Sequence, residues 1–323
     1  MQIPKILTIG AAVQDVFLGN SDEFNLISAD PEHDFVSLGL GSKIDLNQIN
    51  FATGGGATNA AITFARQGLK TSFMGIIGDD VAGNIILRNL DEEFIDTSRV
   101  EIDKLRSTDY STILLAPNGE RTILTYRGAS SHIHANNFKL TEGEFDFIYI
   151  TNLAGRFDAI RKIFTQASKT NTKIAWNPGS KELSQPEKVK TLLDDVELLI
   201  INKQEAQELF SGESIEELLR AGLLFVRNII ITDGQDGVWA SDGKSIVRAG
   251  MYEDVKVIDR TGAGDAFGSG FVSQWVQGAS LSESILFASA NSTSVIQYVG
   301  SKDGILKKNA KLHSMPIMEK SIK

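Results

Sequence analysis

Short apolar runs ending in polar or glycine residues alternate with longer stretches of helical periodicity along most of the chain. Lys5–Gly10 (KILTIG) reads as a buried strand. Apolar residues at 57, 60, 61, 64 and 65 form one helical stripe, and Gly68 falls where a C-terminal cap belongs. Thr71–Ile77 predicts a strand, and Asp79 or Asp80 a cap for the helix that carries Ile85, Ile86 and Leu90. In the second half, strand-like runs at 145–151, 172–176, 198–202 and 228–232 are separated by helical stretches near 156–168, 187–195 and 203–225. A β-rich piece, 238–258, precedes two helices near 264–277 and 281–297. Strand and helix alternating at this spacing predict an α/β fold, its parallel sheet covered on both faces.

Two regions break that rhythm. Phe35–Leu38 and Ile44–Ile49 read as edge strands, and 111–116 with 122–126 flank Asn118-Gly119 as a hairpin. They predict a small β appendage on the α/β core, in a position suited to a lid.

Composition narrows the picture. The 323 residues are 42% hydrophobic and 23% charged, ordinary globular usage that excludes disorder. A net charge of -9 argues against nucleic-acid binding, which needs a basic surface. Cysteine is absent, so disulfides, thiolate metal sites and cysteine nucleophiles are excluded. No membrane span or signal peptide is read, and a soluble cytoplasmic protein is expected.

Four segments carry chemistry. In Asp259-Arg260-Thr261-Gly262-Ala263-Gly264-Asp265, read as following a strand at 255–258, small residues open an amphipathic helix. Backbone N–H groups and the helix dipole there form an anion hole for a transferring phosphoryl group, and Asp265 is poised to take a proton from a hydroxyl. The alternative is a glycine turn with Asp265 as helix cap. Gly54-Gly55-Gly56-Ala57-Thr58-Asn59 permits close backbone approach before a helix, where Asn59 can bond a polyol; a flexible loop is the competing reading. Asn202-Lys203-Gln204-Glu205 ends a strand at the crevice where open α/β sheets bind ligands, with Glu205 suited to magnesium through water; a plain helix start competes. Thr232-Asp233-Gly234-Gln235-Asp236-Gly237 is a glycine turn suited to nucleotide phosphates, or a simple connection.

Other patterns fail. Gly243-Lys244-Ser245 lacks the P-loop spacing, Gly262-x-Gly264 with Gly268 misses the dinucleotide spacing, and no Gly-x-Ser-x-Gly elbow occurs. His132 and His134, among four histidines and no thiols, do not suggest catalytic zinc.

Together the four segments, in this order, resemble the ribokinase-like (PfkB) carbohydrate kinase family over roughly residues 5–300. The resemblance implies a central, mostly parallel sheet flanked by helices with a small β-sheet lid. A single kinase domain then spans 1–310, with the lid formed by about 13–50 and 105–130 and a C-terminal tail at 311–323. It implies ATP-dependent phosphorylation of a primary hydroxyl of a sugar, with a nucleoside as the alternative acceptor. By position, Asp265 matches the base and Gly262, Ala263 and Gly264 the anion hole. Asp15, Gly55 and Asn59 match the substrate grip, and Asn202, Thr232, Gly234, Gly237 and Asn291 the nucleotide site. Glu205 matches the element that organises Mg2+. Asp259 and Gly300 fall near the monovalent-cation site of some relatives, which adds K+ to the cofactors to be tested. The family lid often also forms a dimer interface, which makes a homodimer through the β-lid the assembly to test. The chain departs from the ribokinase pattern Gly-Gly-Lys-Gly-Ala-Asn, having Gly56 and Ala57 at the middle positions, and Arg260 stands where many members carry a small hydroxyl residue.

Overall fold

The computed structural model describes residues 2–19, 25–30, 33–115, 121–136, 138–250, 252 and 255–322. The first half runs β1 (Lys5–Ile9), β2 (Val13–Gly19), β3 (Asn25–Asp30), β4 (His33–Ser37), β5 (Gln48–Gly54), α1 (Gly56–Arg66), β6 (Lys70–Met74), β7 (Ile76–Gly78), α2 (Val81–Glu92), β8 (Glu101–Asp103), β9 (Asp109–Leu115) and β10 (Arg121–Tyr126). It continues with β11 (Phe147–Ile150), α3 (Phe157–Lys169), β12 (Lys173–Trp176), α4 (Ser180–Leu183), α5 (Pro186–Lys190), β13 (Leu198–Asn202), α6 (Lys203–Leu209) and α7 (Ile215–Gly222). The chain closes with β14 (Ile229–Thr232), β15 (Val238–Ser241), β16 (Ser245–Ala249), α8 (Ala263–Trp275), α9 (Leu281–Val295) and β17 (Ile317–Ser321).

The main sheet has the order β17-β16-β15-β14-β13-β12-β11-β1-β6. Its six strands from β6 to β14 are parallel, and β15, β16 and β17 add an antiparallel edge. Both faces are buried, as a parallel sheet requires. In β13, Leu199 and Ile201 join the core under α3, α6 and α7, whereas Leu198 and Ile200 join the core under α1, α8 and α9. That two-sided burial explains why the strand reads as an unbroken apolar run.

The appendage is a second sheet, β10-β9-β2-β5. Strand β2 pairs in parallel with β9 and antiparallel with β5, so residues 13–19, 48–54, 109–115 and 121–126 form one small layer. The turn expected at Asn118-Gly119 lies outside the described residues.

Several expectations need correction. Thr71–Ile77 is two strands in different sheets, parted at Gly75, where a side chain would run into Phe73 and the Gly10 carbonyl. The helix expected over 203–225 is broken at Phe210, and Ser214 opens α7 with its own capping box. Val255–Ile258 is not a strand, and 256–258 are exposed. The expected tail contains a strand, because β17 pairs with β16 from Ile317 to Ser321. Gly243 and Lys244 occupy the turn between β15 and β16, where Asp242 accepts from the backbone of Lys244 and Ser245.

Candidate active site

The site gathers where β1 and β2, the start of α1, the start of α8 and the segment after α9 converge. Gly262 adopts a left-handed φ of 79° as the N-cap of α8. A methyl group there would lie 2.3 Å from Ser301 Cβ, so only glycine fits. Gly262→Ala should therefore cost roughly 2–4 kcal/mol, combining left-handed strain with overpacking. A denaturant midpoint unchanged by that substitution would contradict this packing.

Asp265 does not cap its own helix; α8 has no side-chain cap. Its Oδ2 instead accepts from Asn59 Nδ2 at 2.8 Å, and Asn59 Oδ1 accepts from Ser301 Oγ at 2.8 Å. This ties the first turn of α8 to the first turn of α1. Gly56 lies opposite, where a Cβ would stand 3.0 Å from Asp265 Oδ1, and Gly55 (φ 97°) packs on the Ala11 carbonyl. Gly56, which stands where ribokinase has its Lys, thus keeps the approach to the carboxylate bare. Asp265 retains some accessible surface but is packed round by protein, and this desolvation holds its carboxyl above the usual range against the opposing pull of Asn59 and Lys302.

At the N-terminus of α8, the Ala263 N–H donates to the Arg260 carbonyl, a weak bond of 3.3 Å. The N–H groups of Gly264 and Asp265 have no partner among the described residues, and no heavy atom lies within 4 Å of a Cβ built on Gly264. Two donors at the positive end of a thirteen-residue helix, beside an open glycine, can receive an anion.

Asp15 lies on β2, buried against Gly54, and Ser111 of the neighbouring strand β9 bonds its carboxylate. Burial is the largest influence on it and pushes its pKa up to about 6, with Ser111 and Lys302 opposing and Asp259 and Asp265 adding to the rise. Lys302 was not singled out by the sequence. The residue is 7% exposed, and burial pushes its pKa down to about 7 while Asp15 and Asp265 pull it up. No local pattern marks it, since its hydrogen-bond partner Thr53 lies 249 residues earlier.

The nucleotide-side candidates meet at the ends of adjacent strands, where Asn202 of β13 is paired with Thr232 of β14. Lys203 Nζ bonds Asp233 Oδ2 at 2.8 Å and joins the two loops. Gly234 (φ 52°) has open space around it, and Gly237 (φ 94°) packs on the Ala249 carbonyl. Asn202 and Glu205 form a capping box: Asn202 Oδ1 accepts from the Glu205 N–H, and Glu205 Oε2 accepts from the Asn202 N–H. The helix-start reading of this pair is therefore realised, with Glu205 Oε1 left over. Burial holds the Glu205 carboxyl above its usual value.

Two of the assigned residues bond chiefly to other parts of the chain. Asn291 is 0% exposed, its Nδ2 donating to the Ala266 carbonyl and its Oδ1 accepting from the Leu306 N–H. It bolts α9 to α8 and presents nothing to a nucleotide. Asp259 accepts from the N–H and hydroxyl of Thr261 through Oδ1 and from the Gly300 N–H through Oδ2, which leaves one lone pair on Oδ2. It fastens the loop before α8 to the segment after α9. Among the described residues, no group of three or more His, Asp or Glu side chains is placed to hold a metal ion, and no helix is long and apolar enough to cross a membrane.

An aspartate beside two unpartnered N–H groups at a helix N-terminus is an arrangement suited to phosphoryl transfer to an alcohol. The comparisons specify the family. The profile of the pfkB family of carbohydrate kinases matches residues 21–308, and the chain belongs to that family. It is 26% identical over 282 residues to an ATP-dependent 6-phosphofructokinase of Thermoanaerobacterium thermosaccharolyticum, covering 83% of this chain and 86% of that protein. It is 28% identical over 263 residues to a ribokinase of Haemophilus influenzae, covering 79% and 84%. The crystal structure of a Cryptococcus neoformans ribokinase in complex with ADP superposes with a TM-score of 0.74 at 22% identity, covering 95% of this chain and 98% of that one. The chain is thus a pfkB family carbohydrate kinase with the ribokinase fold.

Proposed function

We propose that this kinase phosphorylates the primary hydroxyl of a furanose-type sugar, with Asp265 as the base. The observation that carries the reading is the bond from Asn59 to Asp265, which brings the polyol-binding turn and the anion-binding turn into one crevice. A hydroxyl seated there loses its proton to Asp265 as its oxygen attacks the γ-phosphorus of ATP. The N–H groups of Gly264 and Asp265 receive the negative charge on the transferring group, and the 232–237 turn lies alongside the remaining phosphates. Magnesium supplies charge neutralisation on those phosphates. A single carboxylate oxygen, Glu205 Oε1, fits contact with that ion through water better than direct coordination by a protein cage. A K+ ion near Asp259 would find that carboxylate already taking three protein donors.

Asp15 grips sugar hydroxyls in its charged form. With its pKa at about 6, the acceptor KM should rise as pH falls through that value, about tenfold per unit below it. A KM that is flat between pH 7 and 5 would remove Asp15 from the acceptor site. The stability effect has the opposite sense. Because the folded pKa exceeds the unfolded one, Asp15 favours the fold at low pH and loses that contribution as pH rises through about 6.

The four-stranded sheet acts as lid and as the contact face of a homodimer. Strand register puts Ile49, Phe51, Tyr110, Leu124 and Tyr126 on one face of it, all exposed. That face is apolar enough to seek a second copy. Sedimentation showing only monomer at micromolar concentration would count against it.

The acceptor is identified by ADP formation from Mg-ATP with ribose, fructose, fructose phosphates, ketodeoxygluconate and nucleosides. Ribose or fructose should give the highest kcat/KM; a nucleoside in first place would overturn the furanose reading.

A further inference from the structure

Successive residues of a strand face opposite ways, so β2 turns Asp15 toward the acceptor crevice and Gln14 to the other side of the small sheet. On that side lies a cavity of about 630 Å³ bounded by β5, α2 and residues 298–303. Its inner wall holds polar groups with unspent bonding capacity. Lys302 Nζ, in a residue 7% exposed, donates to Thr53 Oγ1 at 2.8 Å and makes no other hydrogen bond among the described residues, which leaves two N–H donors. Gln14 is 2% exposed; its Nε2 is spent on the Ala52 and Asp15 carbonyls, and its buried Oε1 has no partner among the described residues. Asn89 Oδ1 accepts from Thr53, and its amide N–H groups are likewise unspent. Buried polar groups in this state cost free energy that a complementary ligand recovers.

At the mouth, Arg88 on α2 is exposed and makes no ion pair among the described residues. The rim carboxylates Glu92 and Asp303 are also exposed, where solvent screens them. The buried wall therefore decides the ligand: several donors, one of them cationic, and one lone acceptor. Such a wall complements a molecule with an anionic group for Lys302 and Arg88 and a hydroxyl to donate to Gln14 Oε1. A neutral sugar offers Arg88 and Lys302 no charge to pair with, and the exposed Arg88 repels a metal cation.

We propose that this cavity, which backs onto the acceptor site through Ser301 and Lys302 and opens beside Phe51 and Tyr110 of the exposed sheet face, is a second ligand site for a small hydroxylated organic anion, either a phosphate ester or a sugar acid. It goes beyond the kinase reading, and its deciding test is binding rather than turnover. The experiment is calorimetric titration of the wild type, Asp15→Asn and Arg88→Glu with glucose 6-phosphate and with gluconate, with glucose as the neutral control. At least one of the two anions should bind with a Kd below about 1 mM, and which one binds distinguishes the two sources. That binding should persist within about threefold in Asp15→Asn and weaken at least about tenfold in Arg88→Glu. Arg88→Glu should retain acceptor-dependent ADP formation, because Arg88 stands outside the catalytic crevice. Three results would each overturn the proposal: binding abolished by Asp15→Asn and untouched by Arg88→Glu, glucose binding as tightly as either anion, or neither anion binding at about 10 mM.

Discussion

Asp265→Asn should lower turnover by at least ~10², and up to ~10⁴, with ATP affinity nearly unchanged. The loss is that of a general base. An amide cannot take the proton, so the hydroxyl must attack with its proton attached or release it to solvent. The surroundings of the residue argue that the fold survives. Asn59 Nδ2 now donates to a carboxylate oxygen, and the amide oxygen of the substituted side chain can accept the same bond. Burial disfavours the ionised carboxylate, whose pKa is raised, so a neutral amide should leave stability equal or higher. Lower turnover with an unchanged or higher melting temperature is thus the signature of lost chemistry. Near-wild-type turnover would remove Asp265 as the base, and lower turnover with a collapsed melting temperature would show a structural residue.

Asp15→Asn should lower kcat/KM for the acceptor by about 30- to 100-fold. A hydrogen bond to a charged group contributes about 1.5–3 kcal/mol and a neutral one about 0.5–1.5. Two sugar hydroxyls that exchange a carboxylate for an amide therefore lose roughly 2–3 kcal/mol, at 1.4 kcal/mol per factor of ten. The effect should fall mainly on KM, because this grip exists before the transition state. The dependence of KM on pH near 6 should also vanish, since the titrating group is gone. A variant that kept the wild-type KM would place the sugar elsewhere in the crevice.

The residues most legible in the sequence are those whose role is set by their immediate neighbours. β1, β13 and α1 follow from local periodicity, and the turn at Gly262 from a left-handed φ and a close approach that only glycine allows. The strand at 317–321 escaped because it is an edge strand with few apolar positions, IMEKS, defined by pairing with β16 rather than by its own pattern. Val255–Ile258 misled for the opposite reason: alternating apolar residues there find no strand to pair with, and two of them stay exposed.

The same division holds in the site. Asp265, Asn59 and Gly55 lie in compact motifs and do meet, although the bond between the two turns spans 206 residues and no spacing rule announces it. Asn202 and Glu205 satisfy a local rule, the capping box, that any helix start can use. Asn291 was misassigned because a polar residue on a late helix looks exposed until α8 and the Leu306 backbone close over it. Lys302 went unseen because its function is made by burial, and burial is a property of the whole fold.

The most direct test of the account is the initial rate of ADP formation from Mg-ATP with and without a saturating sugar acceptor, for the wild type and Asp265→Asn side by side. The account predicts ADP release that depends on the acceptor, matches the phosphorylated sugar formed one for one, and falls at least ~10² in the variant. ADP released equally fast without acceptor, or at the same rate by the variant, would contradict it.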